Sequence, residues 1–268
     1  MRYIEIEPDP RLRPYVKCFW SLQGNDPAPV PERVLPDGRC ELVLHCGDRF
    51  QQVADAGTHT QPRDLFVGPS TRALVIQSGT CIDLVAVRFH PGGAAVLLDV
   101  PLSELRDSAS ACSALDVHFG LDLVDALHER SVDDRIDLLQ NILLRRLQRA
   151  HIDRQMLRMQ HAIERARGNV RSAELARHAG LSLRQFQRRF QTAIGISPKV
   201  LCRLVRLQSV LALSREPGAT LGRIAATAGY ADQPHFQREF RDFAGITPGE
   251  YFAGSHQLND LFFSDATV

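Results

Sequence analysis

The C-terminal half of this 268-residue chain repeats itself. At a shift of 50, Phe186, Gln187, Arg188 and Phe190 meet Phe236, Gln237, Arg238 and Phe240, and Gly195-Ile196-Ser197-Pro198 meets Gly245-Ile246-Thr247-Pro248. Upstream the shift is 49, pairing Ala176 with Ala225 and Gly180 with Gly229, as if the second copy carried one extra residue in its turn. Such a period restricts this half to two copies of one small supersecondary unit.

Each copy reads as helix, tight turn, helix. Ser172 and Thr220 are placed to cap a short first helix whose alanines (Ala176 and Ala179; Ala225, Ala226 and Ala228) allow a second helix to cross closely. Gly180 and Gly229 supply the positive φ of the turn. Ser182 with Gln185 forms a capping box for the second helix, and Asp232 caps its counterpart with Pro234 in the first turn. Phe186 and Phe190, like Phe236 and Phe240, stand at i and i+4 and point into a core. The faces away from these phenylalanines carry Arg184, Gln185, Gln187, Arg188 and Gln191 in one copy and Gln233, His235, Gln237, Arg238 and Arg241 in the other. Arg and Gln present the paired donors and acceptors that match guanine and adenine edges in a major groove. Offered near the start of the second helix of a helix-turn-helix, they describe a DNA reader.

Charge supports the same division. Residues 1–150 hold 16 Lys and Arg against 21 Asp and Glu, a balance of −5, whereas residues 151–268 hold 16 against 10, a balance of +6. An acidic module is joined to one suited to a polyanion.

Residues from about 153 to 252 resemble the DNA-binding domain of the AraC/XylS family of bacterial transcription regulators. The resemblance is carried by Leu175-Ala176, Gly180-Leu181-Ser182, Phe186-Gln187-Arg188-x-Phe190, Gly195-Ile196-Ser197-Pro198, Arg206-Leu207, Ile224-Ala225, Gly229-Tyr230, His235-Phe236-x-Arg238-x-Phe240 and Gly245-Ile246-Thr247-Pro248-x-x-Tyr251. It implies two helix-turn-helix units joined by a long helix, here from about Pro198 to Ser214, with the two reading heads one DNA turn, ~34 Å, apart. By position it implies base contacts from Arg184, Gln187 and Arg188 in the first unit and from Gln233, His235, Gln237 and Arg238 in the second. Ser182, Arg189, Lys199 and Arg241 are the implied phosphate contacts, which position the protein without reading sequence. The family often has a cation just before the Gly-x-Ser/Thr-Pro segment of the first unit; Gln191-Thr192-Ala193-Ile194 offers none, leaving that contact missing or to Lys199.

The acidic half differs in kind. Val16 to Leu22, Glu41 to Cys46, Leu65 to Val67, Leu74 to Gln77 and Ile82 to Phe89 lean to β, broken by Gly24-Asn25-Asp26-Pro27, Pro36-Asp37-Gly38, Gly57, Gly68-Pro69 and Gly79. This is the punctuation of a small antiparallel barrel or sandwich. Beyond Pro91-Gly92-Gly93, residues 94–98, 101–105 and 121–149 read as helix, the last long and amphipathic. The region resembles an uncharacterised domain found ahead of AraC-type DNA-binding domains, through Pro14-Tyr15-Val16, Phe19-Trp20, Leu35-Pro36-Asp37-Gly38, Gly68-Pro69 and Val87-Arg88-Phe89-His90-Pro91-Gly92-Gly93-Ala94. The resemblance implies a cupin-like sensor of a small-molecule effector, with Phe19, Trp20, Phe50 and Phe66 as pocket residues. A ligand-free module that dimerises through the 121–149 helix is the alternative.

Enzymatic readings find little support. His45, His59, His90, His118 and Glu41 invite a metal-dependent cupin enzyme, yet no His-x-His or His-x-x-x-His pair is present. Six scattered cysteines form no Cys-x-x-Cys pair and read as reduced thiols. No phosphate loop, dinucleotide fingerprint or Gly-x-Ser-x-Gly occurs. Apolar runs fall far below the ~20 residues of a membrane span, and the N-terminus has no secretory pattern.

The expected protein is therefore an α+β multidomain chain: a β-rich sensor over 1–119, a helical linker or dimerisation segment over 120–150, a tandem helix-turn-helix domain over 151–254 and a tail over 255–268. It needs no cofactor, metal or catalytic residue. Its expected partners are promoter DNA, a small-molecule effector, a second copy of itself and, for an activator, RNA polymerase, all in the cytoplasm.

Overall fold

A computed structural model describes residues 1–54, 57–115, 122–216, 218, 220–254 and 258. Ten strands build the N-terminal domain: β1 (Arg2–Ile6), β2 (Val16–Asn25), β3 (Glu32–Val34), β4 (Glu41–His45), β5 (Gln51–Ala54), β6 (Gly57–Thr60), β7 (Asp64–Val67), β8 (Leu74–Gln77), β9 (Cys81–Phe89) and β10 (Ala109–Ala111). They form a six-stranded antiparallel sheet in the order β1-β2-β9-β4-β7-β10 and a four-stranded sheet in the order β3-β8-β5-β6. Among the described residues the edge strands do not close onto one another, so the domain is a two-sheet sandwich.

Register decides which side chains share a face. One row across the large sheet runs Phe19, Val87, Leu42 and Phe66. The neighbouring row, on the opposite face because strand side chains alternate, runs Glu5, Trp20, Ala86, Val43 and Leu65. The second face looks toward the small sheet.

The expected long helix is two, α1 (Leu123–Leu127) and α2 (Val132–Leu147), separated where Ser131 caps α2 by accepting the Asp134 N–H. Ile136, Leu139, Ile142 and Leu143 of α2 are buried. Arg135 is 3% exposed; it grips both Asp83 carboxylate oxygens on β9, at 2.6 and 2.9 Å, and the Leu127 and His128 carbonyls at the end of α1. Arg146 donates to the Leu97 carbonyl. The apolar stripe that suggested subunit pairing is thus spent within the chain, where it caps the large sheet. Residues 94–98 and 101–105, expected as helix, are 3-10 turns at Gly93–Val96 and Leu102–Leu105. The boundary expected at 119/120 and most of the tail from 255 lie outside the described residues; Leu258 is buried, its N–H donating to Glu32.

Seven helices follow: α3 (Arg154–Arg165), α4 (Ser172–His178), α5 (Leu183–Ile194), α6 (Pro198–Leu213), α7 (Leu221–Thr227), α8 (Gln233–Ala244) and α9 (Pro248–Ala253). The two repeats are α4-α5 and α7-α8, with α6 between them. No helix of the described residues is long and apolar enough to cross a membrane.

The sandwich docks on both repeats through three segments. Pro36 accepts from Gln208 of α6 at 2.9 Å, and Gly38 packs against Ile196 and Leu204. The Ala73 N–H donates to the Phe243 carbonyl at 2.8 Å, and Arg33 donates to the Ala244 carbonyl at 2.9 Å, both at the end of α8. Pro69 and Leu102 press on Gly195 at the end of α5, while Gly92 faces Ile194 and Leu157.

Candidate nucleic-acid interface

The local chemistry of each repeat follows its residues closely. Gly180 (φ 67°) and Gly229 (φ 87°) make the turns, and Gly195 (φ 91°) and Gly245 (φ 75°) end α5 and α8 in the left-handed conformation that a Cβ disfavours. Ser182 and Gln185 exchange bonds, Gln185 N–H to the Ser182 hydroxyl at 3.3 Å and Ser182 N–H to Gln185 Oε1 at 3.1 Å. Asp232 accepts the His235 N–H at 2.6 Å, and Thr220 accepts the Arg223 N–H at 3.4 Å. Ser172 does not cap α4. It is the first helical residue, and Glu174 reaches back to the Arg171 N–H instead.

Phe186, Phe190, Phe236 and Phe240 are fully buried, with ring centroids 5.5 and 5.7 Å apart within each pair. Burying one face exposes the other: Arg184, Gln187, Arg188, Gln233, Gln237, Arg238 and Arg241 stand in solvent, and Lys199 is exposed on the first turn of α6. Gln187 and Lys199 from the first unit and His235, Gln237, Arg238 and Arg241 from the second border one groove of about 1280 Å³. Arg184, Arg188 and Gln233 are exposed outside this lining. The fold therefore turns both helices' polar residues outward and brings six of the expected contacts around one concavity.

Three expected contacts have partners already. Arg189 is clamped on Asp153 by bonds of 2.5 and 2.9 Å and on Gln155 at 2.8 Å, which holds α5 to α3. The Ser182 hydroxyl donates to Gln185 Oε1 at 2.8 Å. His235 is half-buried, its Nε2 3.7 Å from Glu239 and its ring edge-on to Tyr230 at 5.4 Å.

Sequence reasoning missed the residues that aim the second head. Glu239 is 5% exposed on α8 and accepts from Arg203 at 2.8 Å and Arg206 at 3.4 Å, both on α6. Arg203 also reaches Asp242 at 2.9 Å and lies 4.6 Å from the Phe243 ring centroid. The available signal was a carboxylate beside Phe240, facing two arginines three residues apart.

The effector residues divide by face. Between the sheets lies a cavity of about 100 Å³ lined by Trp20 and Phe50, with Glu41, Val43 and His45 from alternate positions of β4, Leu65, Ile76, Leu84 and Arg88. Phe19 and Phe66 are not in its lining. Both are fully buried in the row on the other face of the sheet, a correction that alternation along β2 and β7 enforces. Arg88 is buried and bonds Glu41 at 2.5 Å and Glu5 at 3.5 Å.

Of the metal candidates, only His45 and Glu41 share a site among the described residues, both lining the cavity. His45 is in the cavity, His59 is exposed on β6, and His90 lies against His161 of α3 at 5.6 Å, while His118 is outside the described residues. Among the described residues no three His, Cys, Asp or Glu side chains are grouped to hold a metal. All six cysteines are free thiols, five of them buried.

Residues 175–254 match a helix-turn-helix domain family, and residues 4–111 match a domain of unknown function, DUF6597. The arabinose operon regulatory protein of Escherichia coli is 31% identical over 140 residues, 47% of this chain and 46% of that protein. The C-terminal domain is an AraC-type helix-turn-helix domain. The regulator ArgR of Pseudomonas aeruginosa is 27% identical over 161 residues, 54% of this chain and 48% of that protein. The chain spans between a fifth and a half of the length of the curated relatives it matches. Among solved structures, ToxT from Vibrio cholerae aligns over 98% of this chain and 99% of its own at 10% identity, with a TM-score of 0.49. In the AraC-type domain here, the two heads share α6 as their common support.

Proposed function

We propose that this chain is a sequence-specific DNA-binding transcription regulator of the AraC/XylS type, whose N-terminal domain modulates DNA binding in response to a small molecule. The observation that carries this reading is the outward, repeated set of Arg and Gln side chains on α5 and α8. Arg184, Gln187 and Arg188, with Gln233, His235, Gln237 and Arg238, are the proposed base contacts, and Ser182, Lys199 and Arg241 the proposed phosphate contacts. Arg189 reaches phosphate only by leaving Asp153, so its first task is to hold α5 on α3.

The sandwich has the means to influence both heads. Two of its segments alternate between cavity and DNA-binding domain: Leu35, Asp37 and Arg39 line the cavity while Pro36 and Gly38 meet α6, and Ser70 and Leu74 line it while Pro69 and Ala73 meet the ends of α5 and α8. A ligand that favours one arrangement of these segments shifts the spacing of the heads by its difference in affinity for the two arrangements. The protein acts where the chromosome is, in the cytoplasm. A homodimer would bind repeated half-sites more tightly, and an activator would also meet RNA polymerase.

The test is fluorescence anisotropy of the full chain on DNA upstream of its own gene and on random DNA, at low and physiological salt. Tight binding to the upstream DNA that survives competitor, beside weak and salt-sensitive binding to random DNA, is the expected result. Equal affinity for a panel of promoter and random DNAs, with and without effector candidates, contradicts sequence reading.

A further inference from the structure

The cavity between the sheets has a definite size, a neutral polar end at His45 and Gln61, and paired charges at Asp37, Arg39, Glu41 and Arg88. Its volume of about 100 Å³ is below the roughly 150 Å³ of a cavity known to hold benzene, so it suits one small ring with slight adjustment of the walls. Val43, Leu65 and Ile76 make its sides apolar, with Trp20 and Phe50 as aromatic walls.

His45 marks the polar end. It is 1% exposed, its ring lies 5.3 Å from that of Phe50, and the Gln61 side chain is its hydrogen-bonding neighbour, leaving at least one ring nitrogen without a partner among the described residues. Burial pushes the ring down to about 4, offset only in part by the neighbouring Gln61 side chain, with Arg49 adding to the depression. The imidazole is therefore neutral near pH 7 and has one donor and one acceptor, of which Gln61 engages one. A buried polar group without a good partner is costly, and a ligand hydroxyl, which both donates and accepts, removes that cost.

Charge selects further. Arg88 is already matched by Glu41 and Glu5, and Arg39 by Asp37 at 3.2 Å and Glu164 at 3.5 Å. An ionised ligand entering between these pairs would lose its water and find a neutral imidazole rather than a counter-ion. We infer that the cavity binds a small neutral alcohol or phenol, one ring with a single hydroxyl directed at His45. This deepens the effector reading above, on which its regulatory meaning rests.

Trp20 is the single tryptophan of the chain and lines the cavity, so its emission reports occupancy without reference to DNA. The probes are cyclohexanol, methylcyclohexane and cyclohexanecarboxylate, titrated into the full chain and followed by Trp20 emission and by Tm. Cyclohexanol should give a saturable emission change and a rise in Tm, methylcyclohexane should bind roughly tenfold more weakly for want of the hydroxyl, and the carboxylate should do neither. His45→Phe should bring cyclohexanol down to the affinity of methylcyclohexane, and His45→Gln should restore part of the preference. Ile76→Phe, which fills the cavity from the small sheet, should abolish both signals; Leu74→Phe serves if that variant does not fold. Preference for the carboxylate, absence of a saturable response to any probe, or unchanged cyclohexanol binding in a folded His45→Phe protein overturns the assignment. Saturable binding that leaves DNA affinity untouched upholds the ligand class and overturns effector control instead.

Discussion

Gly195, which ends the first recognition helix, lies so close to Pro69 of the sandwich that a Cβ on it would overlap the proline Cγ and stand 2.9 Å from the Leu102 carbonyl oxygen. Its counterpart Gly245, at nearly the same φ, has among the described residues only the end of the Arg33 side chain nearby, at 3.4 Å. The repeats are therefore alike locally and unlike in what they touch. Gly245→Ala should cost about 1 kcal/mol, the penalty of the left-handed conformation. Gly195→Ala should cost the same and about 1–3 kcal/mol more for overpacking. Urea denaturation of the two variants measures the difference, and equal losses would show that the sandwich does not press on the first head.

Arg238→Ala and Arg188→Ala should each weaken binding to the target site by about 1–3 kcal/mol and relax preference at one or two base pairs, with Tm unchanged because both side chains are exposed. Lys199→Ala should weaken all DNAs alike and reduce the salt slope by about 1. Anisotropy on wild-type and single-substitution sites distinguishes the two patterns.

The second head depends on both its apolar and its ionic support. Phe236 is fully buried against Tyr230 and Phe240, so Phe236→Ala should cost about 3–5 kcal/mol. Glu239→Gln leaves Arg203 and Arg206 without their shared carboxylate. It should lower stability by about 1–3 kcal/mol and weaken specific more than random DNA binding, since α8 loses its anchor on α6. Denaturation and anisotropy on the same variants check both effects.

Acid should loosen the sandwich before carboxylates titrate. His45 and His90 are each held down to about 4, mainly by burial; around His90, Glu164 opposes the depression while Arg39, His161 and Lys17 add to it. The native state favours the neutral rings, so their stability is fully present above the unfolded value near 6.5 and is lost as pH falls from there through about 4. At pH 5.5 each should cost about 1 kcal/mol relative to pH 7.5. His45→Gln should flatten its share of the slope in denaturation experiments at the two pH values.

Much of the C-terminal domain was legible in the chain itself. Its helices, turns and caps are set by neighbours within five residues, so Gly180, Ser182-Gln185, Asp232 and the Phe-x-x-x-Phe pairs announced themselves. Ser172 was the exception, because a carboxylate at Glu174 could cap the helix from within. In the sandwich, the β-leaning segments marked five strands, but β1, β3, β5, β6 and β10 carry weak alternation, and β3, β5 and β10 are held by partners distant in sequence.

The sequence by itself determined that two alike units would each bury a pair of phenylalanines and turn Arg and Gln outward, because helical periodicity leaves no other arrangement. Only the tertiary structure decided that Arg189 holds Asp153, that Glu239 anchors the second head, that α2 covers its own sheet, and that Trp20 and Phe50 share a cavity from which Phe19 and Phe66 turn away. Those outcomes depend on strand register and on which elements meet across 30 to 200 residues of chain, and spacing along one element carries no record of either.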